Sequence, residues 1–172
     1  MTPTTATSAT ATSTTATGAT MTSTTTLLAF DFGMTHIGVA VGQTITSTAT
    51  PLREVRARHG VPDWPAIEQC LAEWRPTLLL VGLPLNMDDT DNHITTRARR
   101  FARQLHGRST LPTLLVDERL TSVAARERLR AGRHHPDYHG VAAQLIAESW
   151  LHAPQHDWPD ANARPPAGAP SA

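Results

Sequence analysis

The sequence predicts an α/β domain built on a mixed sheet of five strands, with helices on both faces. An apolar run at 27–31 and a strictly alternating segment at 37–42 form a β-hairpin. A later run of consecutive apolar residues, 78–81, is typical of a strand buried on both faces of a parallel sheet, and the largely apolar segment 111–116 predicts another strand. Segments with apolar residues at helical spacing follow each of these runs, which favours helices that cover the sheet.

The hairpin carries the first candidate functional residue. Its first strand ends in the carboxylate Asp31, and a turn at 33–35 follows. In the second strand branched and small side chains alternate, in the order Ile37, Gly38, Val39, Ala40, Val41, Gly42. A carboxylate beside a buried strand is costly unless a partner or a metal compensates its charge. The small residues leave room on one face for another group to approach closely.

The composition fits one folded domain in a reducing compartment. The chain has 172 residues, a formal net charge of zero and a single cysteine, Cys70, which excludes a disulfide framework. No apolar run is long enough to cross a bilayer, so we expect no membrane partner.

The charge is unevenly distributed along the chain. All fifteen cationic side chains are arginines, and the segment 97–133 holds ten of them against three acids. Such a basic segment suits a phosphate-rich partner. A set of solvated helix faces gives the same pattern and is the simpler interpretation of a charge run considered alone.

Both ends of the sequence are predicted to be disordered. Residues 1–26 are almost all Thr, Ala and Ser, and residues 154–172 are rich in Pro and Ala. Neither segment has enough apolar residues to offset the entropy of ordering. The first segment lacks the charged and apolar blocks of a signal peptide. We therefore expect the folded domain at 27–153.

Helices and strands alternate in the middle of this domain. A third strand is predicted at 48–55, followed by a helix with Asp63 as its N-cap and Pro65 in its first turn. Pro76 ends that helix. Its apolar residues at helical spacing, which we expect to face the sheet, are Trp64, Ile67, Leu71 and Trp74.

The strand at 78–81 leads into a long loop at 82–92. The loop holds Asp88, Asp89 and Asp91, which favours a functional role, whereas a solvated turn with an N-cap at Asp91 or Asn92 is the alternative. The next helix is predicted to bury Ile94, Ala98, Phe101 and Leu105 and to leave its arginines, Arg97, Arg99, Arg100 and Arg103, off that face.

The C-terminal part is predicted to contain one strand and two helices. The strand 111–116 is followed by a helix capped by Thr121 that ends near Gly132. The last helix begins near His139, and its predicted inner face is Ala142, Leu145, Ile146 and Ser149.

A second carboxylate, Glu118, follows the last predicted strand. In open α/β sheets ligands bind outside the carboxyl ends of the strands, so Asp31 and Glu118 converge if their strands are neighbours. Two such carboxylates outline a divalent-metal site. Considered separately, either acid is equally consistent with an N-cap or a surface ion pair.

The predicted element order, β-β-β-α-β-α-β-α-α with carboxylates on the first and last strands, is ribonuclease H-like. Five segments in this order closely resemble the YqgF (RuvX) family of bacterial pre-16S rRNA nucleases, which are also described as Holliday-junction-resolvase-like. They are Phe30-Asp31-Phe32-Gly33, Ile37 to Gly42, Val81 to Asp88, Thr96 to Phe101 and Asp117 to Ser122. The resemblance extends over about 27–151.

The resemblance implies a cytoplasmic nuclease that uses Mg²⁺ or Mn²⁺ and trims the 5′ end of precursor 16S rRNA. Asp31 and Glu118 match the family's metal ligands. His139 stands where the family has a third acid, and a histidine is a poorer Mg²⁺ ligand than a carboxylate. The neighbouring Asp137 is either an N-cap or the replacement ligand. Asp89 stands where the family commonly has Gly.

We expect contacts with nucleic acid through Arg97, Arg100, Arg119 and Thr35, and we expect a monomer or a weak homodimer. Three alternatives remain at this point. One is a resolvase of branched DNA, and another is a module that binds nucleic acid without cutting it. The third is a phosphotransferase of the actin and hexokinase type, which needs a second phosphate loop and an adenosine site in a chain that is short for two domains.

Overall fold

The computed structural model describes residues 25–85, 93–118, 138–153 and 159–161, and they form one mixed sheet with helices on both faces. The strands are Thr26–Asp31 (β1), His36–Gln43 (β2), Thr48–Pro51 (β3), Val55–Arg58 (β4), Val61–Pro62 (β5), Leu78–Leu83 (β6) and Thr113–Asp117 (β7). The helices are Trp64–Trp74 (α1), His93–Ser109 (α2) and Tyr138–His152 (α3).

The strand order is β5-β4-β2-β1-β6-β7, and β3 also pairs with β2. β1 and β2 are antiparallel, whereas β6 is parallel to both β1 and β7. The predicted hairpin and the two parallel strands are confirmed.

The described part of the sheet has seven strands, whereas five were predicted, because the segment predicted as one strand is divided. β3 ends at Pro51, which has no N–H with which to extend the ladder. β4 begins at Val55 and returns as β5 through a turn in which His59 and Gly60 have φ of 51° and 78°. Positive φ at both central residues is the requirement of a tight hairpin turn, and the sequence analysis missed this hairpin.

The two faces of the sheet pack against different helices. Phe30, Val39 and Val55 lie in a core with Ile67 of α1 and Phe101 of α2. On the opposite face, a smaller core joins the other side chains of β1 and β6 to α3 and contains Leu27, Ala29, Ala49, Leu78, Leu80, Val116, Ile146, Ala147 and Leu151. The side-chain alternation of each central strand therefore feeds both cores, as expected for a sheet that is covered on both sides.

The ends of α1 follow the sequence closely. The Asp63 carboxylate accepts a hydrogen bond from the Ala66 N–H (3.4 Å), and Arg75, with φ of 44°, ends the helix immediately before Pro76. No helix in the described part of the chain is long and apolar enough to cross a membrane. The predicted loop acids Asp88, Asp89 and Asp91, the cap at Asn92 and the helix 121–132 lie outside the described residues.

Part of the predicted C-terminal tail lies against the sheet. Residues 159–161 run antiparallel to β7, where the Leu115 N–H donates to the Pro159 carbonyl (2.8 Å) and the Ala161 N–H to the Thr113 carbonyl (2.9 Å). Ala161 is buried in the core below α1 and α2. The remainder of the predicted tails, 1–24, 154–158 and 162–172, lies outside the described residues.

Candidate active site

Asp31 is the last residue of β1 and lies at the carboxyl edge of the sheet. Its side chain is 13% exposed and shares the α3 side of the sheet with Leu27 and Ala29, because side chains of a strand alternate between faces. Its partner in the β1–β2 ladder is Gly38, which has no side chain to shield it. The Asp31 carboxylate therefore projects into a space that is bounded by α3.

Glu118 follows directly after β7, at the same edge of the sheet. The sequence left open whether β1 and β7 are neighbours, and in the structure β6 lies between them. Strands are about 4.8 Å apart, so the two acids start from backbones roughly 10 Å apart. Gly82 of β6 fills the intervening position. A Cβ at Gly82 would lie 2.8 Å from Glu118 Oε1, so the absence of a side chain there makes room for the carboxylate.

The pKa of Glu118 is shifted in part by the charge of Asp31. Burial, and after it the negative charges of Asp31 and Asp117, together raise the pKa of Glu118 to about 8. Two carboxylates that repel each other at one sheet edge favour either a shared proton or a cation between them. Glu118 is thus poised to lose its proton when a positive charge is bound beside it.

His139, in the first turn of α3, contacts Asp31 directly. Its Nδ1 lies 2.8 Å from Asp31 Oδ2, and its side chain is 29% exposed. The hydrogen bond to Asp31 raises the pKa of His139, burial opposes this shift, and the charges of Asp31 and Glu54 reinforce it. Because an ionised carboxylate only accepts hydrogen bonds, Nδ1 is the donor and Nε2 is the nitrogen that remains for another partner.

Small residues of β1 and β2 let α3 approach the sheet at this point. A Cβ on Gly38 would overlap the backbone carbonyl of His139, and a Cβ on Gly33 would lie 3.1 Å from His139 Cε1. The sequence analysis predicted that the small residues of β2 admit a close neighbour. The structure confirms this prediction and identifies the neighbour as the first turn of α3.

Glu54, in the loop between β3 and β4, is a site residue that the sequence analysis missed. Its Oε1 accepts a hydrogen bond from the backbone N–H of His139 at 3.2 Å, across 85 positions of the sequence. The first turn of α3 has no acidic residue of its own, so Glu54 supplies the negative charge that a helix N-terminus favours. The absence of an acid in that turn was the one available sequence signal.

Two further aromatic side chains lie near the His139 ring. The His36 ring at the beginning of β2 lies 6.4 Å from it, at an interplanar angle of 28°, and the Tyr138 ring packs edge-on at 5.3 Å. His36 is exposed, and its Nδ1 shares a hydrogen bond with Thr35 Oγ1 (3.2 Å). The predicted nucleic-acid contact Thr35 therefore lies next to the site, on the exposed turn between β1 and β2.

The predicted arginines are dispersed. Arg97 is half-buried on α2, where its Nη1 donates to the His59 carbonyl (2.9 Å) and its Nε to His93 Nε2 (3.1 Å). This guanidinium holds the β4–β5 turn against α2, a structural contact that the sequence analysis did not predict. Arg100 is exposed on the same helix. Arg119 and the alternative ligand Asp137 lie outside the described residues.

The donor set fits a hard divalent cation only in part. Asp31 and Glu118 supply the carboxylate oxygens that Mg²⁺ and Mn²⁺ prefer, and their mutual repulsion is what such an ion relieves. Within the residues that the structure describes, no three His, Cys, Asp or Glu side chains already form a metal-ligating group. The assignment of His139 as the third ligand remains a prediction.

Comparison with known proteins agrees with this geometry. Residues 25–153 match the family model described as "RuvX: Holliday junction resolvase". A Marinobacter nauticus protein named "Putative pre-16S rRNA nuclease" is 53% identical over 72% of this chain and 90% of its own length. A protein of the same name from Aeromonas salmonicida is 52% identical over 73% of this chain and 93% of its own length.

The fold also resembles that of T. thermophilus RuvC, solved in complex with a Holliday junction substrate. The TM-score is 0.52 at 14% sequence identity, and the match covers 79% of this chain and 99% of RuvC. At this identity the likeness concerns the fold alone, which is ribonuclease H-like. The match over residues 25–153, together with relatives of about half-identical sequence, shows that the chain belongs to the RuvX family.

Proposed function

We propose that this protein is a divalent-metal-dependent nuclease that hydrolyses phosphodiester bonds in precursor 16S rRNA, in the cytoplasm, during ribosome biogenesis. The observation that carries the proposal is the carboxylate pair Asp31 and Glu118 at one edge of the sheet, with the pKa of Glu118 raised to about 8. The names of the relatives from Marinobacter nauticus and Aeromonas salmonicida supply the substrate.

Asp31 and Glu118 are the residues that would hold the metal ion. When bound, Mg²⁺ or Mn²⁺ supplies activation of a water molecule and stabilisation of the oxygen that leaves. With a cation held beside it, Glu118 would be ionised, because the positive charge would offset both the burial of Glu118 and the repulsion from Asp31.

His139 acts on Asp31 in this proposal. Its Nδ1–H holds Asp31 Oδ2 and so fixes the direction of the carboxylate. The other carboxylate oxygen, Oδ1, would remain available to hold a metal ion, and His139 Nε2 would remain as the third ligand or as a partner for water. Glu54 stabilises the position of His139 by accepting a hydrogen bond from its backbone N–H.

Arginine side chains account for the contacts with phosphates. Arg100 is exposed on α2, and Thr35 is exposed beside the site, so both are accessible to a strand that enters the carboxyl edge. A guanidinium binds phosphate oxygens through two parallel hydrogen bonds, which suits recognition of a backbone without regard to sequence. Arg97, which is already bound to the β4–β5 turn, positions that hairpin for the substrate.

A second substrate is favoured by one specific observation. The family model that matches residues 25–153 is described as a Holliday junction resolvase. Branched DNA and structured RNA are both recognised mainly through shape and backbone, so the same carboxylate pair would serve either substrate.

The decisive experiment compares two substrates under identical conditions. Pure full-length protein is incubated with precursor 16S rRNA and with a four-way DNA junction, in Mg²⁺, in Mn²⁺ and in chelator. We expect metal-dependent cleavage of the RNA, loss of cleavage in Asp31→Asn and Glu118→Gln, and retained fold in both variants by circular dichroism.

Matched controls test whether the loss of cleavage is specific to the carboxylates of Asp31 and Glu118. Asp63→Asn makes the same change at the N-cap of α1, where asparagine caps as well as aspartate, and Glu73→Gln makes the other change on the exposed face of that helix. Both controls should cleave at the wild-type rate. If the protein cleaves the DNA junction and not the RNA, branched DNA is the substrate in place of precursor 16S rRNA. If Asp31→Asn cleaves as fast as the wild type, the proposed site is excluded.

A further inference from the structure

The outer face of β4 presents two arginines that make no ion pair within the described residues. Arg56 and Arg58 are exposed and alternate with Val55 and Ala57, which are buried in the core below α1 and α2. Because side chains of a strand alternate, both arginines project from the opposite face of the sheet, the face that also carries Asp31. They lie roughly 7 Å apart along the strand.

This face is continuous with the candidate active site. Arg56 lies directly opposite His36 in the antiparallel β2–β4 pair, which brings their side chains together on one face. The His36 ring faces the His139 ring at 6.4 Å, and His139 Nδ1 lies 2.8 Å from Asp31. A path of neighbouring side chains therefore leads from Asp31, past both imidazoles, to Arg56 and on to Arg58.

The positive charge of this face is not neutralised within the described part of the chain. No ion pair joins Arg56 or Arg58 to an acid among these residues, whereas Arg108 on the other face is paired with Glu68 at 3.2 Å. The acid that is closest in sequence, Glu54, is already bound to the His139 backbone N–H. A polyanion is the partner that complements two unpaired guanidiniums beside a pair of carboxylates.

The hairpin is also held in a fixed orientation. Arg97 of α2 donates to the carbonyl of His59 at the tip of the β4–β5 turn, and Gly60 lies against the same guanidinium. The tip is thereby tied to one helix while its base pairs with β2. Preorganised contacts of this kind lower the entropy that is lost when a ligand binds.

We propose that Arg56 and Arg58 on the outer face of β4, together with the adjacent His36 of β2, bind consecutive phosphates of the substrate strand as it leaves the Asp31 site. The ligand class is the phosphodiester backbone of a single strand, bound without regard to base sequence. This inference rests on the proposed nuclease function and deepens it, because it states on which side of the catalytic carboxylates the strand runs.

The test measures binding separately from cleavage. The probe is a fluorescently labelled single-stranded RNA that carries the 5′ leader of precursor 16S rRNA, and anisotropy is recorded in Ca²⁺ over a salt series while a gel confirms that the probe remains intact. Arg56→Ala and Arg58→Ala should each weaken binding about 3- to 10-fold and lower the salt slope by about 0.7, the value for one phosphate contact on a single strand.

Arg75→Ala is the matched control. Arg75 is equally exposed but follows α1 at the edge of the sheet opposite Asp31, so its removal changes the net charge by the same amount. Its binding and salt slope should equal those of the wild type. In steady-state cleavage, the β4 variants should raise KM and leave kcat unchanged, because they remove contacts outside the reacting group.

The outcomes separate this inference from the function on which it depends. If the wild type cleaves RNA but Arg56→Ala and Arg58→Ala bind normally, or bind no worse than Arg75→Ala, the β4 face is not the binding surface and the inference fails alone. If the β4 variants lose binding as expected while no substrate is cleaved in any metal, the binding surface stands and the nuclease function fails.

Discussion

One face of the sheet buries a cluster of aromatic rings, whereas the buried core on the other face is aliphatic and has small side chains where α3 approaches the site. Below α1 and α2, the rings of Phe30, Phe32 and Trp64 lie within 5.4–5.8 Å of the Phe101 ring. Below α3, the sheet presents Ala29 and Gly38, and the buried residues of the helix include Ala143 and Ala147.

The two faces of the sheet contribute differently to stability and to the site. Large aromatic side chains bury much apolar area, which is the principal source of stability. Small side chains bury little area but let the α3 backbone approach the sheet. That close approach brings His139 to Asp31, so we infer that one face stabilises the domain and the other assembles the site.

The largest expected effect comes from emptying the aromatic face. Phe101→Ala removes the ring that contacts three other aromatic rings and should lower the free energy of unfolding by about 3–5 kcal/mol. Urea unfolding measures this change. Below the melting temperature, kcat should remain close to the wild-type value, because the α3 face is untouched. A kcat that falls in proportion to stability would show that the two faces are not separable.

The opposite result is expected from Gly38→Ala. The added methyl group would overlap the His139 carbonyl, so the first turn of α3 must move away from Asp31. We expect a stability loss of about 1–3 kcal/mol and a loss of cleavage much larger than that of Phe101→Ala. Calorimetry and single-turnover cleavage give the two quantities.

Gly107→Ala is the control for this substitution. Gly107 lies in α2 with open space around its Cα, so alanine there should stabilise the helix by up to about 1 kcal/mol without a change in cleavage. Equal behaviour of the two glycine variants would remove the argument that close approach of α3 assembles the site.

His139 itself allows a sharper test of the α3 face. His139→Asp places a carboxylate where the family has one and should raise activity in Mg²⁺ relative to Mn²⁺, because Mg²⁺ prefers oxygen ligands. His139→Ala should reduce cleavage about tenfold or more, since outer ligands and their partners have effects of that size. Metal titrations of cleavage, followed in parallel by thermal shift, measure both effects.

Asp137→Ala is the informative comparison for His139. If the sequence-based interpretation of Asp137 as an N-cap is right, the substitution should cost on the order of 1 kcal/mol of stability and leave cleavage intact. An inactive Asp137→Ala beside an active His139→Ala would instead assign Asp137 as the third ligand.

Glu118 predicts a pH dependence of stability in the absence of metal. Its pKa is about 8 in the folded protein against 4.5 for a free side chain, so the folded state binds the proton more tightly. The resulting stabilisation is complete below about pH 4.5 and is lost as the pH rises through about 8. In chelator, the melting temperature should fall by several degrees between about pH 6 and pH 9.

Glu118→Gln should reduce that slope, because an amide does not titrate and only the contribution of His139, whose pKa is also raised, remains. Saturating Mn²⁺ should also reduce the slope in the wild type, since the ion holds Glu118 ionised. The melting temperatures of the wild type and of Glu118→Gln, recorded at both pH values with and without Mn²⁺, measure these effects. A slope that is undiminished in Glu118→Gln would assign the pH dependence to another group.

The smallest expected effect concerns Glu54. Glu54→Ala removes the acceptor for the His139 N–H and should cost about 1 kcal/mol, as loss of a helix cap does, together with part of the cleavage activity. Glu54→Gln retains an acceptor and should recover most of both. Hydrogen exchange of the His139 amide measures the contact directly, and Glu73→Ala, on the exposed face of α1, is the control.

Much of the fold and part of the site follow from local sequence patterns. The apolar run before Asp31, the alternation in β2 and the N-cap Asp63 predicted their elements correctly, because side-chain periodicity and capping depend on residues only a few positions apart. The sequence also located both carboxylates at the ends of strands. The β4–β5 hairpin was missed because each of its strands is short and its apolar alternation weak.

The tertiary structure alone decided how these parts meet. The sequence determined that Asp31 and Glu118 each end a strand, but it left open that β6 lies between them and that Gly82 makes room for Glu118. It likewise left open the hydrogen bond from His139 to Glu54, 85 positions away. Local patterns report on near neighbours in the chain, whereas strand order and helix docking depend on which distant surfaces pack together, and those contacts bring the site residues to one edge of the sheet.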